Sequence, residues 1–335
     1  MLLALPSWAD IQLNGHLKGL SYQALEHHQT AFAREARLNL AVDYEGVSTQ
    51  VHGQAQHCDS TLACRAWRIE RANIHWRHNR LQITAGRHAI SWGNGLLFNP
   101  VDVFNPFNPL AIDTEYKPGT DMVHLQYGLT NGDDIQGLWV DHGEGSSSAM
   151  KYHHFNGEWE WDGIIAIHRG DRLSAIGASR PIGQWLWRGE WMQQRSPRGN
   201  TAQHVVTNVQ RFFDLAGQPA GITIEWFHNG WGVNQNSDHQ EKAELITRRQ
   251  RGELFTPGKD YLAVSLNRQM HPLWQLGMTH LSEAHNDSHI SQIFSHHDLY
   301  EAVQLRLAVV IPWRDSRLLD MPSERYLLAQ LAWYF

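Results

Sequence analysis

The 335-residue chain lacks any long hydrophobic run and any excess of basic residues. No stretch approaches the ~20 consecutive apolar residues that a transmembrane helix needs, and the mean hydropathy is −0.46. Lysine and arginine number 28 against 34 aspartate and glutamate, which gives a net charge of −6. Because the basic residues are scattered, the sequence gives no nucleic-acid footprint. These absences exclude a helical membrane protein and a nucleic-acid-binding domain.

Catalytic and metal-binding motifs are also missing. No His-Glu-x-x-His, EF-hand, Cys-x-x-Cys or Gly-x-Ser-x-Gly pattern occurs. Among the 22 histidines, adjacent pairs such as His153 and His154 would point to opposite faces of a strand, which disfavours chelation. The serine-rich "GEGSSSAM" is interpreted as a loop. We therefore expect no cofactor, no metal site and no enzymatic activity.

Cysteine is scarce, and the N-terminus is informative. Cys58 and Cys64 lie close together in "HCDSTLAC", which favours a loop disulfide. Free thiols or a zinc site are the alternatives, although His57 is the only adjacent further ligand. In "MLLALPSWAD" a short apolar run precedes the small-x-small pattern Ser7-Trp8-Ala9. Residues 1–9 are interpreted as the end of a signal peptide, with an apolar first strand as the alternative.

Alternating segments of about ten residues recur along the whole chain. "ARLNLAVDY" places Leu38 and Leu40 on one face and Arg37 and Asp43 on the other. "EWEWDGIIAIH", "QWLWRGEW", "GITIEW" and "VQLRLAVVI" repeat the pattern, and many of the 15 tryptophans fall near segment ends on the apolar face. A soluble sandwich would also alternate, but tryptophans at strand ends suit a membrane interface.

The connections between these segments alternate in length. Those after even-numbered strands are short, such as "EG" and "NG", whereas several after odd-numbered strands are long, notably 93–120 and 228–259. Short turns on one rim and long loops on the other are typical of a membrane barrel. The sequence therefore predicts an all-β fold: a transmembrane antiparallel up-and-down β-barrel of about 16–18 strands. Residues 10–335 would form one barrel domain with long extracellular loops.

At this strand number the lumen would be wide enough for water. The polar face of the strands would line it with charges of both signs, which implies a modest ion preference. The residues assigned to the lumen are Arg37, Asp43, Arg71, His75, Arg77, Glu160, Asp162, His168, Arg188, Glu190, Glu225 and Arg306.

Two segments resemble bacterial outer-membrane porin-like β-barrels. One is the C-terminal strand "YLLAQLAWYF", which alternates and stops on Phe335. The other is a Gly-Arg-x-x-x-x-Trp-Gly motif followed by Asn-Pro-x-Asp and Pro-Gly, matched by Gly86, Arg87, Trp92, Gly93, Asn99, Pro100, Asp102, Pro118 and Gly119. The resemblance implies the outer membrane of a Gram-negative bacterium, contact with its lipid, recognition of Phe335 by the barrel-assembly machinery, and a transport-like role.

The resemblance also gives a place to "SWGNGLLFNPVDVFNPFNP", which is too apolar for an ordinary loop and too rich in proline for a helix or a central strand. In porin-like barrels the third long loop folds into the pore. The constriction residues would then be Asp102, Phe104, Phe107, Asp113, Glu115 and Lys117. The alternative is a compact loop packed over the outer rim.

The long loop 228–259 contains "SDHQEKAELITRRQRGEL". Ser237 or Asp238 would cap a short charged helix, either as a simple surface element or as a lid over the pore mouth. The predicted function is an outer-membrane channel for diffusion of small polar or amphipathic solutes. The alternative is a structural or binding barrel, such as a sheath for an electron-transfer partner, a receptor or an export component. The sequence is compatible with either a monomer or a homo-oligomer.

Overall fold

A computed structural model describes residues 10–335 except 27–28, 60–65, 107–115, 235–238, 286–287 and 314–323. The predicted signal-peptide segment 1–9 lies outside the described residues. The strands are β1 (Asp10–Ala24), β2 (Thr30–Tyr44), β3 (Val47–Cys58), β4 (Trp67–His78), β5 (Leu81–His88), β6 (Thr120–Gly128), β7 (Asp134–Asp141), β8 (Ser146–Phe155), β9 (Glu160–His168), β10 (Asp171–Ile182), β11 (Trp185–Arg195), β12 (Thr201–Leu215), β13 (Gln218–His228), β14 (Asp260–His271), β15 (Trp274–Glu283), β16 (Ser288–Tyr300), β17 (Val303–Trp313) and β18 (Tyr326–Tyr334).

These strands form one 18-stranded antiparallel sheet that closes on itself. Each strand pairs with its neighbours in sequence, and β1 pairs with both β2 and β18. The closed barrel is therefore confirmed, and its strand number is the upper value of the predicted range. Closure leaves no sheet edge whose backbone groups would need water, which is the condition for a β-structure to cross a bilayer.

The outer surface of the barrel carries the apolar face of the strands. On β2, Leu38 is 51% exposed while its neighbour Arg37 is only 5% exposed. Large apolar side chains are exposed in the same way on most strands, for example Ile74, Ile165, Leu266 and Leu307. A water-soluble sheet would bury this face and expose the charged one, so the arrangement fits a surrounding lipid phase.

Aromatic side chains on the outer surface concentrate towards the strand ends, as an interfacial girdle requires. Near the short-turn rim they include Trp76, Tyr127, Trp161, Trp333 and Phe335, and near the opposite rim Phe32, Trp139, Trp226 and Trp313.

The connections follow the predicted asymmetry with one notable departure. The two-residue turns at Glu45 and Gly46 and at Ala216 and Gly217 have positive φ at both positions, which matches the twist of tight hairpins. The long connections run over 89–119 and 229–259. By contrast, β9 and β10 are joined on the long-loop rim by Arg169 and Gly170 alone, and the barrel wall is therefore low there.

The connection 229–259 contains α1 (His239–Gln250), a charged helix in the predicted place. Its proposed capping residues Ser237 and Asp238 lie outside the described residues. Among the described residues, no helix is long and apolar enough to span a membrane.

The inner face of the barrel, which the sequence pattern assigned to the polar side chains of the strands, is not lined by polar side chains alone. Near the long-loop rim it carries two apolar clusters. One comprises Phe98, Val206, Phe227, Tyr261, Ala263, Leu281, Ile290, Ala308, Val310, Tyr326 and Leu328. The other comprises Trp92, Val101, Val103, Phe104, Met122, Leu138, Val140, Ile164, Leu173, Ala175, Met192. Both contain residues of the connection 89–119, so this connection forms a core with the inner wall.

Gly86 in the Gly-Arg pair of β5 is required by its backbone. Its φ is +114°, and a Cβ added there would lie 2.2 Å from the carbonyl oxygen of Ala72 on β4. The adjacent Arg87 donates to the carbonyl of Ile69, 3.2 Å away, where β4 has a bulge opposite β3. The motif therefore fixes the geometry of the strand that leads into the long connection.

We expect Gly86→Ala to lower the free energy of unfolding by about 2 kcal/mol, because a positive φ and a backbone clash are both unfavourable for a side chain. Gly163→Ala on β9 is the matched control, since a Cβ there meets no heavy atom within 4 Å, and we expect a change within about 0.5 kcal/mol. Urea unfolding in lipid vesicles measures both. Equal stability of the two variants would contradict this account of Gly86.

Candidate functional site

The described residues of the connection 89–119, which are 89–106 and 116–119, lie in the interior of the barrel. The connection leaves β5, and its residues contact side chains that alternate with the outward apolar positions and therefore point inward. The indole of Trp92 donates to Gln136 of β7 over 3.0 Å. Four residues further on, the backbone N–H of Leu96 reaches Glu225 of β13, which is far from β5 in the strand order. We call this segment the inner loop.

Glu225 holds the tip of the inner loop. Its carboxylate accepts the backbone N–H groups of Leu96, Leu97 and Phe98 at 2.7, 2.9 and 2.6 Å. The side-chain amide of Asn208 on β12 donates to it over 3.0 Å. Glu225 is 0% exposed, so these four donors replace its hydration. A carboxylate that accepts several N–H bonds is a strong, directional anchor.

Glu190 on β11 provides a second buried carboxylate for the same segment. It accepts the backbone N–H of Asn94 over 2.9 Å, and Asn208 donates to the carbonyl of Asn94 over 3.0 Å. Gly93 has φ +103°, and a Cβ there would come within 2.1 Å of the Asn99 side chain. Asn99 in turn donates to the carbonyl of Trp92 over 2.7 Å. The Trp-Gly and Asn-Pro parts of the motif therefore close one turn against the wall.

The apolar residues of the inner loop pack on the wall rather than facing water. Phe98 stacks on Phe227 with ring centroids 5.0 Å apart and lies 5.5 Å from the Tyr261 ring. Val103 and Phe104 are buried in the second apolar cluster, where Phe104 contacts Trp92 edge-on. This packing explains why a proline-rich segment is so apolar.

The returning half of the inner loop is held by polar contacts. Asn105 donates to the carbonyl of Pro118 over 2.8 Å. The Lys117 ammonium donates to the carbonyl of Ile90 over 2.6 Å, to the Ser91 hydroxyl over 2.8 Å and to the Asp102 carboxylate. Burial raises the pKa of Asp102 to about 7 although Lys117 opposes the shift, and burial lowers the pKa of Lys117.

Tyr116 carries the inner loop to the opposite part of the wall. Its hydroxyl is hydrogen-bonded to His52 of β3 over 2.7 Å, and the Arg37 guanidinium lies 3.6 Å from its ring centroid. Arg71 of β4 donates to the carbonyl of Lys117 over 2.5 Å. Because the same loop contacts β2–β4 and β13, it spans the interior.

The connection 229–259 covers the low part of the wall at β9 and β10. Arg248 of α1 pairs with Asp171 of β10 over 2.8 Å and with Glu244 over 2.6 Å. Its guanidinium also lies 3.8 Å above the ring of Trp231. Arg248 and Asp171 are both about 1% exposed. Such a buried pair fixes position, because either charge alone would be costly. We call this segment the covering loop.

A second buried contact joins the covering loop to β8 and β9. Glu253 is hydrogen-bonded to Nε2 of His168 over 3.0 Å, and Nδ1 of His168 to the Ser147 hydroxyl over 2.8 Å. Ser147 lies in the serine-rich segment predicted as a loop; residues 143–145 of this segment do lie in the connection before β8, but its serines begin β8. Although this trio has the residue types of a hydrolase site, all three are buried, and His142 also contacts the Ser147 hydroxyl. The geometry serves attachment of the loop.

The two loops enclose a cavity of ≈ 470 Å³. The inner loop supplies Asp102, Lys117 and the turn at 95–100, and the covering loop supplies residues 253–256. Aromatic surface from Phe98, Phe227 and Phe255 lies beside the charged groups. The cavity therefore offers an amphipathic passage or binding space between the two loops. Among the described residues, no group of three or more His, Cys, Asp or Glu side chains could hold a metal ion.

No protein-family profile matches the sequence, and no curated protein matches it either. Solved structures do match along the whole chain. OccK5 (OpdH) of Pseudomonas aeruginosa superimposes with a TM-score of 0.64 at 8% identity, covering 97% of this chain and 98% of that one. OccAB4 of Acinetobacter baumannii gives 0.64 at 7%, with the same coverage. The chain has the fold of an outer-membrane porin. OccK11 (OpdR) of P. aeruginosa agrees, with a TM-score of 0.63 at 10% identity and coverage of 98% and 96%.

Within this porin fold, the twelve residues assigned to the lumen all occupy strand positions that alternate with the outward apolar ones. They are not equivalent. Three of them are buried and hydrogen-bonded to the loops: His168, Glu190 and Glu225. Three others are exposed nearer the short-turn rim: Asp43, Arg77 and Glu160. Lys151 pairs with Asp162 over 2.9 Å.

The predicted constriction residues are only partly described. Asp102 and Lys117 are paired beside the cavity, and Phe104 is packed into the wall. Phe107, Asp113 and Glu115 lie outside the described residues. Cys58 ends β3 and is disulfide-bonded, but Cys64 lies outside the described residues and the pairing of the two stays a prediction.

We expect Glu225→Gln to raise single-channel conductance. The glutamine keeps one acceptor oxygen but turns an NH₂ group towards backbone N–H donors, and each lost charge-assisted bond is worth about 1.5–3 kcal/mol. The tip of the inner loop should then leave the wall for part of the time.

Glu160→Gln is the control for this variant, because it removes the same charge from an inward residue that accepts a hydrogen bond from Ser179 of β10 rather than from the loop. Planar-bilayer recordings compare the two at equal salt. If both variants change conductance equally, charge and not loop attachment is responsible.

Proposed function

We propose that the protein is a porin-like channel of the outer membrane of a Gram-negative bacterium, through which small polar or amphipathic solutes diffuse. The observation that carries the proposal is the inner loop, which buried carboxylates on β11 and β13 hold across the barrel. A loop fixed in this way narrows a wide barrel without closing its short-turn half, where inward side chains stay polar. The porin fold of the structural relatives favours a channel over a sheath or receptor.

The proposed path has two unlike parts. A solute enters between the inner loop and the covering loop, where Asp102 and Lys117 lie beside aromatic surface. It then meets polar inward side chains such as Arg77 and Glu160. Because charges of both signs face the path, the channel has a modest ion preference. An amphipathic solute fits both parts.

The orientation in the membrane follows from the same features. The long loops face the exterior, and the short turns face the periplasm with both ends of the barrel chain. We propose that Phe335, which is exposed beside Trp333 on the outer face, is the residue that the assembly machinery recognises. We propose no enzymatic role, since Ser147 is buried and occupied by two histidines.

Recording the refolded full chain in planar bilayers tests the proposal. We expect discrete conductance steps, and a larger step after deletion of residues 101–108, provided that the variant keeps heat-modifiable migration on gels. Absence of steps at every voltage and salt concentration would overturn the channel. Unchanged conductance in the folded deletion variant would place the narrowest point elsewhere.

The Asp102 carboxyl predicts a pH dependence of selectivity. With its pKa raised to about 7 by burial, it is mainly neutral at pH 6 and mainly ionised at pH 8. The cavity therefore gains negative charge as the pH rises, and the ratio of cation to anion permeability should increase between pH 6 and 8.

Asp102→Asn should abolish most of this increase, whereas Asp43→Asn, at an exposed position near the short-turn rim, should retain it. Reversal potentials in a salt gradient at the two pH values measure the ratio. An identical pH response in the wild-type protein and Asp102→Asn would contradict the role of this carboxyl.

A further inference from the structure

Four arginines cluster on the long-loop rim at the low part of the barrel wall. Arg169 lies in the turn between β9 and β10, Arg172 and Arg195 lie in β10 and β11, and Arg198 lies in the turn 196–200. Arg172 and Arg195 are direct cross-strand partners. The two turns also touch, because a Cβ on Gly170 would lie 3.3 Å from the Pro197 ring. We call this group the arginine cluster.

The two strand residues of the cluster, Arg172 and Arg195, lie on the lipid side of the barrel and not on the lumen side. On β10, Arg172 alternates with the inward residues Asp171 and Leu173, and it shares its face with Ile176, which is 51% exposed. Its cross-strand neighbour on β9 is Ile167, which is 55% exposed. Arg172 therefore lies at the edge of the apolar belt, from which a long arginine side chain extends its charge to the headgroup level.

Nothing in the described part of the chain neutralises these charges. None of the four arginine side chains makes an ion pair or side-chain hydrogen bond with a described residue. Two other outward arginines do have partners: Arg87 pairs with Asp121 over 2.6 Å, and Arg268 donates to the carbonyl of Leu215 over 3.0 Å. Like charges directly opposite each other destabilise a sheet, so Arg172 and Arg195 call for a counter-charge from outside the chain.

We propose that the arginine cluster binds the phosphate groups of a phosphorylated glycolipid of the outer leaflet. Guanidinium groups bind phosphate oxygens through paired, charge-assisted hydrogen bonds. The apolar surface of Ile167 and Ile176 directly below the cluster receives the acyl chains, so one molecule satisfies both parts of the site. The inference rests on the membrane orientation of the proposed function, with the long loops outward, and is independent of solute transport.

The test compares two double variants of the full-length refolded protein in detergent. Arg172→Gln with Arg195→Gln removes the centre of the cluster. Arg34→Gln with Arg268→Gln is the control, because it removes the same charge from single outward positions on β2 and β14. Binding of lipid A with two phosphates is titrated for each, and we expect the dissociation constant to rise about tenfold or more in the first variant and to stay within about twofold in the control.

Three outcomes would overturn the proposal: equal affinity of the cluster variant and the wild-type protein, an equal loss in the control, or equally tight binding of dephosphorylated lipid A. Full displacement of lipid A by millimolar inorganic phosphate would also overturn it, since the site would then be one for free anions. Conductance recordings of the same samples separate the two proposals. A silent protein that binds lipid A through the cluster would end the channel proposal and support this one.

Discussion

The interior of this barrel depends on one interaction, the acceptance of three consecutive backbone N–H groups by the Glu225 carboxylate. Residues 96–98 cannot join a strand, and inside a barrel their donors would be costly without partners. The buried charge on β13 is costly too unless it is well hydrogen-bonded. The N–H donors and the carboxylate therefore satisfy each other, and the directions of these hydrogen bonds fix the position of the loop. Removing either side leaves an unpaired group in the interior.

With the tip fixed by Glu225 and Glu190, the remaining contacts of the inner loop follow. Phe98 stacks against Phe227, and Val103 and Phe104 fill the space against β6, β7, β9 and β10. This apolar packing is not directional and could be satisfied in several registers. The hydrogen bonds to the two carboxylates select one of these registers. The ion pair of Asp102 and Lys117 then holds the part of the inner loop that returns to β6. The interior of the barrel is therefore apolar and filled by loops in the half near the long-loop rim, and it is polar in the half near the short-turn rim.

Much of the fold could be predicted because apolar outward residues and polar inward residues alternate along each strand of a membrane barrel. The alternation of residues such as Leu38 and Arg37, together with the unequal lengths of the connections, was enough to predict a closed barrel. It was also enough to predict the number of strands to within one hairpin. The interior was harder. Leu281 and Ile290 point inward where the pattern predicts polar side chains, because packing against a loop reverses the usual preference of that face. The two-residue alternation of β13 correctly predicted that Glu225 faces inward. However, no local feature of the sequence distinguishes a carboxylate that binds the backbone of a loop from one that faces water, such as Glu160.

The low wall at β9 and β10 explains why the covering loop is attached by charge. A two-residue turn leaves little apolar surface at that rim on which a helix could pack, and α1 is itself highly charged. Buried pairs such as Arg248 with Asp171 give little net stability compared with apolar packing, but they tolerate few alternative positions. His168 adds a second fixed point through Glu253. Both loops are thus positioned by buried ionic groups from the wall, and the cavity between them owes its shape to polar contacts at Asp171, Glu190 and Glu225 more than to the apolar clusters behind it.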